Sequence, residues 1–378
     1  MKNTRRTQVN IHRESWVEVN LDSLTHNVKE FRKHIDKDVK ILGVVKADAY
    51  GHGCVMCAPT MLASGIDTLG VASIDEGLDI RAEKIDCEIL VLGAVPVWSF
   101  DIAAKNNIAI SIFTQEHLEA CEKVYKRFGL KPKVHITLDT GMNRIGLKIE
   151  DAIEYIKKVQ ESEYIKLEGI FSHLANAECP QKTKIQLDRW ESVISQINTD
   201  NLLLHILNTA GVMSYSLDKK LSNMVRVGVS LYGLKPDLPK DLRFNPVLKP
   251  VMSLKGRIIN IHQTSPDEGV SYGHTFVAKE DTIIATVPIG YADGVPRSLS
   301  NKIYAQLNGV KIKQIGNITM DQMMFDITGV KANLGDVITL LDPVHEELSL
   351  DNWAKIADTI NYELPCRLKV RLPRVYTR

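Results

Sequence analysis

The sequence predicts an α/β fold in two parts: an N-terminal (β/α)8 barrel of the TIM type, then a mainly antiparallel β domain. Three observations carry this prediction. Short apolar runs alternate with helical patterns eight times over about 200 residues, the repeat of a parallel barrel. From about Phe244 the helical texture stops and short strands follow one another. At 378 residues the chain also exceeds one typical core, so two domains are the default. The expected boundaries are 14–243 for the barrel and 244–378 for the β domain, with 14–21 free to pair with the latter.

The composition excludes several classes. Hydrophobic residues make up 44% and charged residues 25%, with a net charge of +1. That balance gives no electrostatic reason to expect nucleic acid or a membrane surface as partner. Met1 to Arg13 is polar and basic without an apolar centre, so it does not read as a secretion signal. No apolar run reaches the roughly 18 residues that span a bilayer. Six cysteines in so long a chain do not form a disulfide framework, and a reducing cytoplasm is expected. Cys54 and Cys57 form a C-x-x-C pair, but no second pair follows at zinc-like spacing, so helix packing is the better account and no metal site is expected.

Taken in order, Trp16 to Leu21 alternates like a half-buried strand. Leu21, Leu24, Val28, Phe31 and Ile35 recur at three- and four-residue steps, which predicts an amphipathic helix from about Asp22 to His34. The eight buried strand candidates are Ile41–Val45, Thr68–Ala72, Glu88–Leu92, Ile108–Phe113, Lys133–Leu138, Lys166–Phe171, Leu202–Leu207 and Met224–Leu231. Continuous apolar runs suit strands buried on both faces. Between them Gln115–Phe128, Asp151–Glu161 and Lys182–Ile197 read as helices. In the second domain strands are expected at Met252–Ile261, Thr282–Pro288, Lys302–Leu307, Val310–Ile315, Met323–Asp326, Asp336–Leu341 and near Arg367–Val370, with one helix at Ser349–Asp358. Asn308-Gly309 is a strong hairpin signal.

A barrel gathers the C-terminal ends of its strands on one face, where functional groups collect. Lys46 and Tyr50 follow the first strand. Asp139, Thr140 and Arg144 follow the fifth, His173 the sixth, and Asn208 and Thr209 the seventh. The eighth carries Arg226 and Gly228 and runs on to Tyr232. A lysine at such a position is partly desolvated, which favours the neutral, nucleophilic amine that imine chemistry requires. Tyr50 and Thr209 bring hydroxyl donors, and the amides near Gly228 and Val229 lie where barrels bind phosphate. Arg144 suits a carboxylate. Pyridoxal 5′-phosphate with an amino-acid substrate fits this inventory.

The motifs are also those of a known family. V-V-K-A-D-A-Y-G-H-G at 44–53, D-T-G-M-N-R-I-G at 139–146, F-S-H-L-A at 171–175, R-V-G-V-S-L-Y-G at 226–233, S-Y-G-H-T at 271–275, P-I-G-Y-A-D-G at 288–294 and M-D-Q at 320–322 run in order along nearly the whole chain. In these the chain resembles the bacterial alanine racemases, pyridoxal-phosphate enzymes of fold type III. The resemblance implies that Lys46 bonds the cofactor and is one of two acid–base groups, and that Tyr272 is the other. It further implies a head-to-tail homodimer in which Tyr272 comes from the second subunit. A free phenol, with a pKa of about 10, is a poor base at neutral pH, and the resemblance implies a supporting chain through His173 to Arg226. Arg226 would face the pyridine nitrogen and leave it unprotonated, since a guanidinium does not give up its proton. Tyr50, Asn208, Thr209, Gly228 and Val229 are implied for the cofactor, with Tyr362 left out. Arg144, Met320 and Asp321 are implied for the substrate carboxylate, and Tyr291 near the entrance. The expected role is supply of D-alanine for peptidoglycan.

Three positions depart from the family pattern. Thr137 stands where relatives often have a carbamylated lysine beside the carboxylate-binding arginine, so Arg144 needs another partner, an anion such as chloride being one option. Val370 replaces a tyrosine that narrows the pocket, and Asn317 replaces an arginine on the entrance path. Together they suggest a pocket open to larger side chains, so racemisation of serine, lysine or arginine is the alternative. A decarboxylase on the same scaffold is a weaker one, because Arg226 stands where decarboxylases carry an acid.

Overall fold

The computed structural model describes residues 12–342, 344–368 and 371–378. They fall into two compact units. One comprises Leu24–Ala49 and Cys54–Leu248; the other comprises the segment ending at Ser23, Tyr50–Gly53 and Lys249–Arg378.

The first strand, β1 (Ser15–Asn20), leads directly into the helix Leu21–His34. Leu24, Val28 and Phe31 of that helix are fully buried, as the three- and four-residue steps require. The barrel strands follow: β2 (Lys40–Val44), β3 (Thr68–Val71), β4 (Glu88–Ala94), β5 (Ala109–Ile112), β6 (Lys133–Thr137), β7 (Lys166–Phe171), β8 (Leu203–His205) and β9 (Met224–Val227). All neighbours are parallel and in sequence order, and β2 pairs with both β3 and β9. Between β8 and β9 the seam is joined by Asn223 N–H to the Leu204 carbonyl and Arg226 N–H to the Leu207 carbonyl. The Asn223 side chain adds bonds to Leu202 and Leu204. Every expected barrel strand is present. The eighth is shorter than its apolar run, because Gly228 turns the chain into a 3-10 turn at Val229–Tyr232. The helix Gln115–Phe128 has the expected bounds, started by the Thr114 side chain accepting from His117 N–H and ended by left-handed Gly129.

The other unit is built on a nine-stranded sheet. Met252–Arg257 pairs antiparallel with β1, which pairs parallel with Arg374–Thr377. Asn308 and Gly309 both have positive φ and close the expected hairpin between Tyr304–Leu307 and Val310–Ile315. Two expectations are corrected. Met252–Ile261 is two strands, since Met252–Arg257 pairs with Val337–Leu341 whereas Asn260–Thr264 pairs with Thr282–Val287. The last strand, expected near Arg367–Val370, is Arg374–Thr377, where β1 offers a parallel edge, and Arg367 ends the helix Glu363–Arg367. Val370 lies outside the described residues, as does most of Met1 to Arg13. No helix among the described residues is long and apolar enough to cross a membrane.

Candidate active site

Lys46 stands just past β2 and opens a turn of unusual hand. Ala47, Asp48, Ala49 and Tyr50 have φ between 51° and 55°. Each such residue costs an L-amino acid about 1–2 kcal/mol, so four in a row must be held by their surroundings. Glu76 bridges two loops, accepting from Ala47 N–H at 2.7 Å and Ala72 N–H at 2.7 Å. The Asp48 carboxylate accepts from Cys54 N–H at 2.7 Å. Ahead of the lysine, the buried Tyr232 hydroxyl donates to the Val44 carbonyl at 2.9 Å. The strand end that carries Lys46 is therefore fixed from both sides. Cys54 and Cys57 begin the next helix, Cys57 wholly buried, and burial pushes the Cys54 thiol up to about 12. That environment suits packing rather than thiol chemistry.

The centre of the barrel mouth is Arg226, buried and tied entirely to barrel groups. Its Nη1 donates to the His205 carbonyl at 2.7 Å and to His205 Nδ1 at 2.8 Å. Its Nη2 donates to the Ser172 carbonyl at 2.7 Å, to His173 Nδ1 at 3.1 Å and to the Ile206 carbonyl at 3.2 Å. His205 Nε2 lies 3.0 Å from Nδ1 of His135. Burial, followed by the charge of Arg226, depresses all three imidazoles, His135 to about 3. They are neutral at pH 7.

These contacts settle the tautomers. A guanidinium only donates, so Nδ1 of His205 and of His173 must be acceptors. Their protons then sit on Nε2, and His205 passes a donor on to His135 Nδ1. His173 is left with an N–H on the nitrogen facing away from Arg226. Burial lowers the Arg226 guanidinium to about 9, and it still carries its charge at neutral pH. Among the described residues no acceptor lies within hydrogen-bond distance of its Nε–H.

Around this core lie the other barrel candidates. Thr209 Oγ1 accepts from Gly228 N–H at 2.9 Å, which leaves its own proton to be donated elsewhere. Asn208 Oδ1 accepts from Gly211 N–H at 2.9 Å and its amide donates to the Leu174 carbonyl at 3.3 Å, so it serves the loop's shape. Val229 is buried in the 3-10 turn. Arg144 and Lys46 both depress His173 electrostatically, which places the two cations on its side of the mouth. Arg144 is exposed and has no hydrogen-bonding or ion-pair partner among the described residues. Thr137, near the base of that loop, is buried with its hydroxyl unpartnered. Gln186 steadies the loop from behind, bonding Thr140 Oγ1, the His173 carbonyl and Ala175 N–H.

The remaining candidates belong to the other unit. Tyr50 ends the left-handed turn, and burial raises its hydroxyl pKa. Tyr272 is 75% exposed on the 3-10 turn Tyr272–His274. Tyr291, Met320 and Asp321 are brought together, because Tyr291 N–H donates to the Thr319 carbonyl and Ala292 N–H to that of Met320, both at 3.0 Å. Fully buried Asp293 anchors this pair of loops. Its carboxylate takes both terminal nitrogens of Arg13, at 2.5 and 2.7 Å, and Gly290 N–H at 2.9 Å. Arg371 spans Asp293 and Asp321.

Sequence reading missed His135, His205, Gln186, Asp293, Arg13 and Arg371. The two histidines had a signal. Each interrupts an apolar run in a strand with both faces buried, and a buried imidazole needs a partner.

The comparisons with known proteins agree with this architecture. The family model described as alanine racemase, N-terminal domain, matches residues 19–236, and that for the C-terminal domain matches residues 251–376. Alanine racemase 2 of Oceanobacillus iheyensis is 38% identical over 97% of this chain and 94% of its own. The solved alanine racemase of Clostridium difficile 630 superposes with a TM-score of 0.89 at 35% identity, covering 96% of each chain. That of Bacillus anthracis, solved with bound L-Ala-P, gives 0.87 at 33% identity over 97% of this chain and 96% of its own. Fold and likeness thus define a two-domain isomerase of amino acids built on a TIM-type barrel. The chain belongs to the alanine racemase family, and racemisation of alanine is its activity.

Proposed function

We propose that the chain interconverts L- and D-alanine with pyridoxal 5′-phosphate through two bases, Lys46 and the Tyr272 of a second copy, and that the D-alanine is made in the cytoplasm for peptidoglycan. The observation that carries this is the guanidinium-centred chain of Arg226, His173, His205 and His135 beside Lys46.

The residues suit that cofactor. Thr209 has a hydroxyl proton to give, and Gly228 and Val229 offer a backbone turn for phosphate oxygens. Tyr50 ends the same turn that Lys46 opens. Arg226 has Nε–H, a donor without an acceptor among the described residues, that would be available to a ring nitrogen. When bound, the cofactor supplies a conjugated ring that takes up the electron pair left as the α-proton departs. Arg226 would hold a ring nitrogen as a hydrogen-bond donor that keeps its own proton, and so would leave that nitrogen unprotonated.

Racemisation needs a proton taken from one face and given on the other. Lys46, partly buried at the strand end, serves one face. Tyr272 serves the other as the partner's contribution, and the outward Nε2–H of His173 is the donor that steadies its phenolate. We assign the substrate carboxylate to Arg144, which has no ion-pair partner among the described residues, and to the backbone of Met320 and Asp321, and the entrance to Tyr291.

The test uses the purified protein loaded with pyridoxal phosphate. D-alanine should form from L-alanine, and Lys46→Ala should abolish it. The two enantiomers have equal energies, so kcat/KM must be equal in both directions and cannot separate the bases. Exchange of the α-proton with solvent can. Tyr272→Phe should stop exchange from one enantiomer far more than from the other, and sedimentation should show a dimer. Equal, unimpaired exchange from both enantiomers in Tyr272→Phe would refute the second base.

A further inference from the structure

Tyr272 rides on a weak support. Its turn is carried by a hairpin with only two residues on each side, Gly269–Val270 and Phe276–Val277. A ladder that short is marginal by itself. The turn also departs from ordinary backbone, with φ of 65° at Ser271, 70° at Gly273 and 44° at His274. A phenol that must meet a carbon atom within a fraction of an ångström needs a firmer mount.

The mount is Asn317. Its Nδ2 donates to the Tyr272 carbonyl at 2.6 Å, and its own carbonyl accepts from the Ser271 hydroxyl at 2.7 Å. This reciprocal pair grips the residue and its predecessor. Asn317 is only 9% exposed, so water competes weakly for these bonds. Gly316 makes the approach possible: its φ is 72°, and a Cβ there would come within 2.7 Å of the Val270 carbonyl oxygen.

Asn301 holds the far end of the turn. Its Oδ1 accepts from Gly316 N–H at 2.6 Å and its Nδ2 donates to Thr275 Oγ1 at 3.0 Å. Its own N–H is bound by Gln314, whose side chain is fully buried. Below, Val270, Ile284, Ile315 and Met324 pack as an apolar cluster with Phe276 against it. The two asparagines therefore join the tyrosine turn to the main sheet at both ends.

We propose that Asn317, backed by Asn301, is the positioning residue for Tyr272, fixing the backbone carbonyl of the base so that its phenol meets the α-carbon in one geometry. This rests on the reading of Tyr272 as a proton-transfer group. The carboxamide is specific to the task. A carboxylate of the same shape has no proton to donate and would face the Tyr272 carbonyl with a charge.

The test compares holoenzyme of Asn317→Asp, Asn301→Ala and Tyr272→Phe with the parent. Amide hydrogen exchange of the 269–277 segment should rise in both asparagine variants while the barrel strands keep their protection. With alanine deuterated at the α-carbon, kcat should fall on the order of 10- to 100-fold, the scale of an ångström of misplacement. The isotope effect should grow for the one enantiomer whose exchange Tyr272→Phe stops, with KM little changed. Asn301→Ala, which leaves Asn317 intact, should show the same asymmetry in smaller measure. Parental isotope effects and segment protection in Asn317→Asp, with Tyr272→Phe still defective, would overturn the positioning role alone. A Tyr272→Phe enzyme that exchanges both enantiomers normally would instead overturn the reading beneath it.

Discussion

Acid should weaken this protein well before its carboxylates protonate. His135 and His205 are wholly buried and His173 is half-buried, and all three are held neutral in the folded chain. Unfolding releases them to an ordinary imidazole pKa of about 6.5. Between the depressed folded values and 6.5 the unfolded chain binds more protons, so stability is full above that pH and falls as the pH drops. Each proton contributes a slope of about 1.4 kcal/mol per pH unit. Two to three protons, allowing for the partial exposure of His173, give about 3–4 kcal/mol per unit near pH 5. Integrated from pH 6.5 to 5 the loss is about 3–5 kcal/mol, a large share of a typical folding free energy. Carboxylates with lowered pKa, such as Glu30 and Asp101, act in the same direction but only below 4.5, so the upper window belongs to the histidines. The assay is denaturant unfolding at half-unit pH steps. His135→Gln, which still offers an acceptor to His205 Nε2–H, should reduce the slope by about 1.4 kcal/mol per unit. Stability constant to within about 1 kcal/mol over this window would refute the neutral, buried chain on which the tautomer argument depends.

Three further outcomes follow from single contacts. Gly169→Ala would set a methyl 2.4 Å from the Leu203 carbonyl oxygen and 2.6 Å from the His135 ring. It should cost about 1–3 kcal/mol in chemical denaturation, because the site is overpacked. Asp293→Asn removes the buried anion between Arg13 and Arg371. It should destabilise by about 3 kcal/mol, the lower end for a broken buried pair since Arg13 keeps some exposure, and calorimetry would read it. Thr209→Val deletes the acceptor for Gly228 N–H and the proposed phosphate donor. Absorbance titration should show pyridoxal phosphate bound about 5- to 30-fold more weakly, the equivalent of one or two hydrogen bonds.

Particular residues show why some of this was legible in the sequence. The barrel strands announced themselves because both faces are buried, so a run such as Ile41–Val45 needs no partner to be recognised. Lys46, Arg226 and Thr209 stand out as candidates because strand ends define a rim, and the motifs around them are specific. The break between Met252–Arg257 and Asn260–Thr264 was not legible, since nothing local marks where a chain exchanges one neighbour for another. The last strand was misplaced for the same reason: Arg374–Thr377 is a strand by virtue of β1, more than three hundred residues earlier in the chain. Asn317 was noticed only as a departure from the family pattern. Its grip on Tyr272 spans 45 positions and has no local signature.

The sequence by itself determined the alternation of strand and helix, the membership of the rim and the change of texture near Phe244. All of these follow from side-chain polarity repeating along the chain. Only the tertiary structure decided which nitrogen of His173 bears its proton, how four left-handed residues are held after Lys46, and what carries Tyr272. Those depend on hydrogen bonds between distant segments, where direction and distance are set by the packing of the whole unit and by no stretch of it alone.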